Sequence, residues 1–222
     1  MNRSINVLLV FLLIPIMLVT IFVGFDLPLT FLKTTGAEMP YREQIFLGLG
    51  LIVLMVNLRR SIRRWIGMIT VSKVKKFKWN EPISLSRKKR VLTYSILEII
   101  VMTFVAVALY IVSPEAWFPA IAFLVGAVDN LIFTVVGLKT NNFRIGLSSK
   151  ALIIADREII VLYFTGLRQV SQHQQSVYFD YIKGLQMDFP TDCIQEQNRE
   201  EFFKTLEAQM DPERVFFSQK MV

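Results

Sequence analysis

Residues 91–112 read VLTYSILEIIVMTFVAVALYIV, and residues 116–138 read AWFPAIAFLVGAVDNLIFTVVGL. Each stretch is longer than the roughly 20 apolar residues that a helix needs to cross a bilayer. Each also contains a single charged residue, Glu98 in the first stretch and Asp129 in the second. The sequence therefore predicts two consecutive membrane-spanning helices joined by a very short turn.

Two further spans are predicted nearer the N-terminus. Residues 5–25 form an apolar run without charge, and we interpret it as a membrane anchor because no small-residue cleavage site of a signal peptide follows it. The segment 44–58 is shorter and reaches across a bilayer if the Arg59/Arg60 pair lies at the interface; a buried or re-entrant helix is the alternative. Residues 1–138 are thus predicted to form a transmembrane domain, with spans at about 5–25, 44–60, 91–112 and 116–138.

Positive charge is concentrated in one loop of this domain. Residues 59–90 contain twelve Lys or Arg residues against one acid, Glu81. Because Lys and Arg are enriched in cytoplasmic loops, this basic loop and both termini are predicted to be cytoplasmic. The remainder of the chain, residues 139–222, carries ten basic and eleven acidic residues. Its slightly acidic character suggests that it docks against the basic loop.

The basic loop also predicts contact with anionic lipid headgroups. A short interfacial helix is expected to begin at Ser61, with tryptophan at headgroup depth. Clustered cations near a membrane attract anionic lipids by about 1 kcal/mol each, although such charges in many proteins serve only to set topology. The candidate headgroup-contact residues are Arg63, Arg64, Trp65, Lys73, Lys75, Lys76, Lys78 and Trp79.

Polar residues within the last two spans form a second candidate site, an intramembrane polar pair made of Glu98, Asp129 and the neighbouring Asn130. At 1.5 Å per residue, both carboxylates lie about 12–14 Å from the cytoplasmic boundary. The predicted spans place no basic residue in a position to neutralise them. Carboxylates at this depth usually face the bundle interior. They are interpreted as hydrogen-bonding contacts between helices, as a proton or ion site, or as an oligomer contact.

Residues 139–222 predict a small α+β domain. Short apolar runs separated by turn residues indicate five or six strands, and these runs are 143–147, 151–155, 159–164, 167–171, 177–181 and 185–189. Asn198 followed by Glu201 predicts a capped helix with Phe202 and Leu206 on its apolar face. Antiparallel strands followed by one amphipathic helix favour an open barrel or curled sheet that is capped by the helix.

This region resembles bacterial pleckstrin-homology-like domains. The resemblance rests on the strand order, on Ile159–Phe164 leading into Gly166-Leu167-Arg168-Gln169-Val170, on Phe189-Pro190 and on the closing helix. It covers residues 142–210, about a third of the chain. Domains of this family often follow transmembrane helices in small bacterial membrane proteins. The resemblance implies a bacterial inner-membrane protein whose cytoplasmic domain binds a protein partner and performs no chemistry.

Several function classes are excluded or disfavoured by composition. One Cys and one His rule out an intrachain disulfide and a Cys/His zinc cluster. The chain contains no motif for a nucleophile, a phosphate loop or a dinucleotide cofactor, and the acidic C-terminal part disfavours nucleic acid. We therefore expect a non-catalytic membrane adaptor or regulator without a cofactor, either alone or as a homo-oligomer. The alternative is a small transporter or ion-conducting oligomer that uses Glu98 and Asp129.

Overall fold

The computed structural model describes residues 2–29, 33–173, 175–211 and 215–217. The helices are α1 (Asn2–Gly24), α2 (Arg42–Ser72), α3 (Leu85–Val112), α4 (Trp117–Lys139) and α5 (Arg199–Ala208). The strands are β1 (Pro28–Leu29), β2 (Thr34–Thr35), β3 (Trp79–Pro82), β4 (Arg144–Leu147), β5 (Ala151–Ala155), β6 (Ile159–Tyr163), β7 (Leu167–His173), β8 (Ser176–Tyr181), β9 (Gln186–Pro190) and β10 (Phe216–Phe217).

The first four helices are long and apolar enough to cross a membrane. The segment with the shortest apolar run belongs to the longest helix, because α2 has 31 residues and continues to Ser72. No proline interrupts it, so the helical hydrogen bonding passes through the arginine pair without a break. The separate interfacial helix that the sequence predicted from Ser61 to Trp79 is thus wrong. Its first part belongs to α2, a 3₁₀ turn follows at Val74–Lys76, and Trp79 begins β3.

The chain divides into two compact units. The helical unit comprises Met1–Arg63 and Tyr94–Phe133, and the sheet unit comprises Arg64–Thr93 and Thr134–Val222. The chain leaves the sheet unit within α3 and returns to it within α4. This division differs from the predicted boundary at residue 138, since most of the basic loop belongs with the strands.

The helical unit has an apolar core drawn from all four of its helices. Ile16, Phe46, Ala106 and Phe123 are buried together in this core. Small residues bring the helices close, and a Cβ added to Gly50 would lie 2.6 Å from a ring carbon of Phe118. These contacts explain why the four apolar helices pack together as a bundle.

The sheet unit contains two open four-stranded sheets. The first is an antiparallel meander in the order β3-β4-β5-β6, in which Trp79 pairs with Leu147. The second has the order β10-β7-β8-β9, with β10 parallel to β7 and the other pairs antiparallel. All six strands predicted after residue 142 are present. The strands β3 and β10 were not predicted, because one contains a proline and the other has only two residues.

Helix α5 holds the two sheets together through Phe202, which is fully buried. Its ring lies 5.0 Å from that of Trp79 in the first sheet and 5.9 Å from that of Phe189 in the second. The predicted capping box is wrong, since the Asn198 side chain makes no capping hydrogen bond. A 3₁₀ turn at Glu196–Asn198 runs directly into the helix, and this gives Asn198 a non-extended backbone.

Candidate functional site

The carboxylate of Glu98 on α3 is paired with Arg60 on α2. The guanidinium donates two hydrogen bonds, Nη1 to Oε1 and Nη2 to Oε2, the second at 3.1 Å. The Arg60 side chain is 4% exposed and the Glu98 side chain 19%. A two-point contact of this kind is among the stronger interactions that an arginine makes.

The second carboxylate, Asp129 on α4, contacts Ser61, the residue that follows Arg60 on α2. Ser61 Oγ donates a hydrogen bond of 2.7 Å to Asp129 Oδ1. One turn earlier, the Asn57 side chain donates to the backbone carbonyl of Ala122 at 3.1 Å. Asn130 is 1% exposed. Consecutive turns of α2 therefore bind α3 on one side and α4 on the other through a buried polar layer.

The expectation that no basic residue neutralises the two carboxylates is wrong for Glu98. That expectation required α2 to end at the Arg59/Arg60 pair, with the Arg60 side chain in solvent at the membrane interface. A sequence signal for the true arrangement exists: Asn57, Arg60 or Ser61, and Arg64 recur at helical spacing across an otherwise apolar surface. The identity of the partners is decided by the packing of three helices.

Four of the predicted headgroup-contact residues form an exposed cationic turn. Lys73, Lys75, Lys76 and Lys78 are all solvent-exposed on and around the 3₁₀ turn that follows α2. Phe77 in the middle of this turn is turned inward, where its ring lies against Gly146 of β4. The inward aromatic ring fixes the backbone and leaves the lysines pointing outward.

The predicted headgroup contacts of Trp79 and Arg64 are wrong, because both side chains are buried. Trp79 is 5% exposed and lies in the core of the sheet unit. Successive side chains of an extended segment point to opposite faces, so Trp79 faces inward where Lys78 faces solvent. Arg64 is 3% exposed and is likewise inaccessible to a headgroup. Arg63 and Trp65 are half-buried.

The basic segment does bind the acidic C-terminal part, but through Arg87 and Arg90 at the start of α3. Arg87 donates from Nε and Nη2 to Oδ2 of Asp156 at 2.9 and 2.6 Å. Arg90 donates to Oδ2 of Asp192 at 2.6 Å. The Asp156 side chain is only 3% exposed, and Arg87 supplies the positive charge beside it. These ion pairs join the start of α3 to the loop between β5 and β6 of the first sheet and to the turn that follows β9 of the second sheet.

The free cysteine, Cys193, lies beneath this ion-pair cluster and is buried. Desolvation by burial raises the pKa of its thiol from 9.0 to about 12. Because the thiolate is the reactive form, the folded sheet unit offers no nucleophile here.

We expect Cys193 to resist alkylation by maleimide at pH 8 in the folded protein and to react within minutes once the chain is unfolded. The raised pKa means that the unfolded chain loses the thiol proton first. The free energy of unfolding should therefore fall as pH rises from about 9 to about 12. Mass spectrometry of the labelled chain measures the reactivity. Rapid labelling of the folded protein at pH 8 would contradict the burial.

Within the described residues, no group of three or more His, Cys, Asp or Glu side chains is placed to hold a metal ion. Comparison with known proteins finds no matching family model, no similar curated protein and no similar solved structure.

Proposed function

We propose that this protein is a non-catalytic membrane adaptor. In this proposal its four long helices anchor it in a bacterial inner membrane with both termini in the cytoplasm. The sheet unit is a pleckstrin-homology-like domain that binds a protein partner, and the cationic turn contacts anionic lipid headgroups.

Membrane insertion is supported by the surface of the long helices. Large apolar side chains face outward on them, among them Phe104 at 72% and Ile111 at 73% exposure. A soluble unit of this size rarely exposes a continuous apolar surface. The buried polar layer around Arg60 fits the same proposal, since polar groups in a membrane bundle face its interior.

The assignment of a pleckstrin-homology-like domain is supported by the order of elements in the sheet unit. A four-stranded antiparallel sheet is followed by the antiparallel strands β7, β8 and β9 and then by a helix that contacts both sheets through Phe202. In this proposal the domain begins at β3, before α3, so that the α3–α4 hairpin is an insertion between its first and second strands. Residues 142–210 would then cover all of the domain except its first strand.

Lipid contact by the cationic turn is supported by its neighbours. Ile66, Ile69 and Val74 are between 46% and 60% exposed in the same unit. Exposed aliphatic side chains beside lysines are typical of surfaces that lie at the headgroup region of a membrane.

Neutralising Lys73, Lys75, Lys76 and Lys78 to glutamine should abolish this contact. At about 1 kcal/mol per cation, the four changes lower the affinity for anionic lipid on the order of a hundredfold or more. The readout is an environment-sensitive dye on a V74C variant, compared in nanodiscs of zwitterionic and of anionic lipid. The matched control neutralises four exposed cations elsewhere: Lys139, Lys150, Arg168 and Lys204. Equal dye spectra for the variant, the control and the parent would refute lipid contact.

The adaptor proposal is tested by photo-crosslinking in intact membranes. Crosslinking residues are placed at exposed positions of the sheet unit, Tyr163 and Leu185, and at exposed positions of the helical unit, Phe104 and Ile111. An adaptor gives one reproducible protein adduct from the sheet unit and lipid adducts from the helical unit. No protein adduct at either sheet position, in cells grown under several conditions, would count against an adaptor.

The alternative of a small transporter built on Glu98 and Asp129 has weaker support. The contact with Arg60 makes Glu98 one half of an ion pair, and both of its carboxylate oxygens accept hydrogen bonds from the guanidinium. A transporter should lose proton or cation flux in proteoliposomes with Asp129→Asn. An adaptor should show no flux before or after that change.

A further inference from the structure

Helix α2 carries an arginine on its outer face. Arg59 is exposed in the helical unit, whereas the side chain of the adjacent Arg60 is 4% exposed and is paired with Glu98. Among the described residues, the Arg59 side chain has no hydrogen-bond or ion-pair partner. One guanidinium is therefore neutralised inside the bundle, while its neighbour projects from the bundle.

The outer face of α2 around Arg59 is apolar. Met55 is 53% exposed one turn before it, and Ile62 is 51% exposed one turn after it. The headgroup region proposed above includes Ile66, which follows Arg59 by seven residues, or about 10 Å along the helix. Arg59 thus belongs to the proposed hydrocarbon region, where a charged side chain is costly and normally has a partner.

The acids of this chain are placed elsewhere. The predicted spans contain two carboxylates, Glu98 and Asp129, and these accept hydrogen bonds from Arg60 and Ser61 within the bundle. The first six residues of the chain, at the start of α1, include no Asp or Glu. A second copy of the chain would present the same two occupied carboxylates. The counter-charge for Arg59 is therefore expected from a different molecule.

The outer face of α2 also has the spacing of a helix–helix seam. Its central positions follow one another at intervals of four, three, four and three residues, and they are Gly48, Ile52, Met55, Arg59 and Ile62. This is the a/d pattern of a left-handed coiled coil, in which a single polar residue sets the register of the partner. Nothing lies within 4 Å of the place where a Cβ on Gly48 would be, so a second helix can approach the backbone there.

We propose that this face of α2 binds a transmembrane helix of a different membrane protein, and that a carboxylate in that helix pairs with Arg59. The inference goes beyond the proposed adaptor function, because it adds a contact within the bilayer to the partner of the sheet unit. It rests on the proposed membrane insertion.

The seam defines the chemistry of the partner helix. Opposite Gly48 it presents a large apolar residue, and its Asp or Glu lies eleven residues from that position, or about 16 Å along the axis. The competing anion is the phosphate of a lipid headgroup. Lipid contact requires neither the heptad spacing nor the open glycine, so the observations favour a helix.

The test measures binding of a synthetic transmembrane helix to the complete chain in proteoliposomes. The probe is a leucine-rich peptide of about 20 residues with one central Asp, and the control probe has Leu at that position. Energy transfer from a dye on V74C to a dye on the peptide reports binding, in zwitterionic and in anionic lipid. Arg59→Leu removes the cation, and Arg59→Lys is the matched variant that keeps it.

We expect the chain with Arg59 intact to bind the Asp probe about tenfold or more tightly than the Leu probe, because the probe's carboxylate meets an otherwise unpaired cation. Arg59→Leu should remove this preference, and Arg59→Lys should keep most of it. Equal affinity for the two probes would overturn the inference, and that comparison needs no variant. A preference that persists in Arg59→Leu, or a loss in Arg59→Leu of the response to anionic lipid alone, would overturn it as well.

A crosslinking residue at Met55, one turn from Arg59, tests the native membrane. A protein adduct whose crosslinked segment carries an Asp or Glu, and which disappears with Arg59→Leu, supports the inference. Lipid adducts alone, or a protein adduct that persists in Arg59→Leu, would overturn it. The control position is Phe104 on α3, where lipid adducts are expected.

The accessibility of M55C separates this inference from the proposed membrane insertion. In open membrane vesicles, M55C should resist a membrane-impermeant maleimide while V74C reacts. Rapid labelling of M55C would place this face in water, and membrane insertion would then fail together with the inference. A shielded M55C with equal affinity for the two probes leaves the adaptor proposal standing and overturns the helix contact.

Discussion

Glu98→Ala should lower the free energy of unfolding of the helical unit by about 3–5 kcal/mol, which is the usual cost of leaving one member of a buried ion pair without its partner. The reason is the burial of Arg60, whose side chain is 4% exposed and would keep its charge. Unfolding of the purified protein in detergent micelles, driven by heat and by sodium dodecyl sulfate, measures the loss.

The double variant R60M/E98L is the control for this experiment. Replacing a buried ion pair by apolar residues of similar volume is often neutral or stabilising, so the double variant should be more stable than Glu98→Ala. The coupling energy from the complete cycle should be well above 1 kcal/mol. A coupling energy near zero would show that Arg60 and Glu98 do not depend on each other, and it would return Glu98 to the candidates for proton handling.

Trp79→Ala should destabilise the sheet unit by about 3–5 kcal/mol, the range for removing a large aromatic side chain from a core. The indole is 5% exposed and lies 5.0 Å from the fully buried ring of Phe202. Its loss leaves a cavity where α5 meets the first sheet. Hydrogen exchange should accelerate in β4, β5 and α5 together.

Trp117→Ala is the matched control, because it removes the same side chain from a position that is 48% exposed. It should leave hydrogen exchange in the sheet unit unchanged. If Trp79→Ala kept native protection and instead weakened the lipid response of the cationic turn, the original prediction of a headgroup contact at Trp79 would be right.

Local patterns in the sequence were sufficient for most of the elements. The apolar runs predicted four candidate spans, although the second was expected to end near residue 60 and α2 continues to Ser72. Short apolar or alternating runs predicted β4 to β9, because both signals depend only on neighbours along the chain. They also identified Glu98 and Asp129 as unusual, since a carboxylate in an apolar run is costly wherever it lies. Exposure of the four lysines followed from charge in the same way.

The tertiary structure decided what these elements bind. Nothing local indicates that residues 79–82 pair with residues 144–147, because α3 and α4 separate the two strands along the chain. The same applies to Arg60, which binds a residue 38 positions away. It also applies to Trp79, whose aromatic ring suits a headgroup region and a core equally well. Periodicity determines which face of an element is apolar. The partner of that face is set by the packing free energy of the whole chain, in which distant residues contribute as much as neighbours.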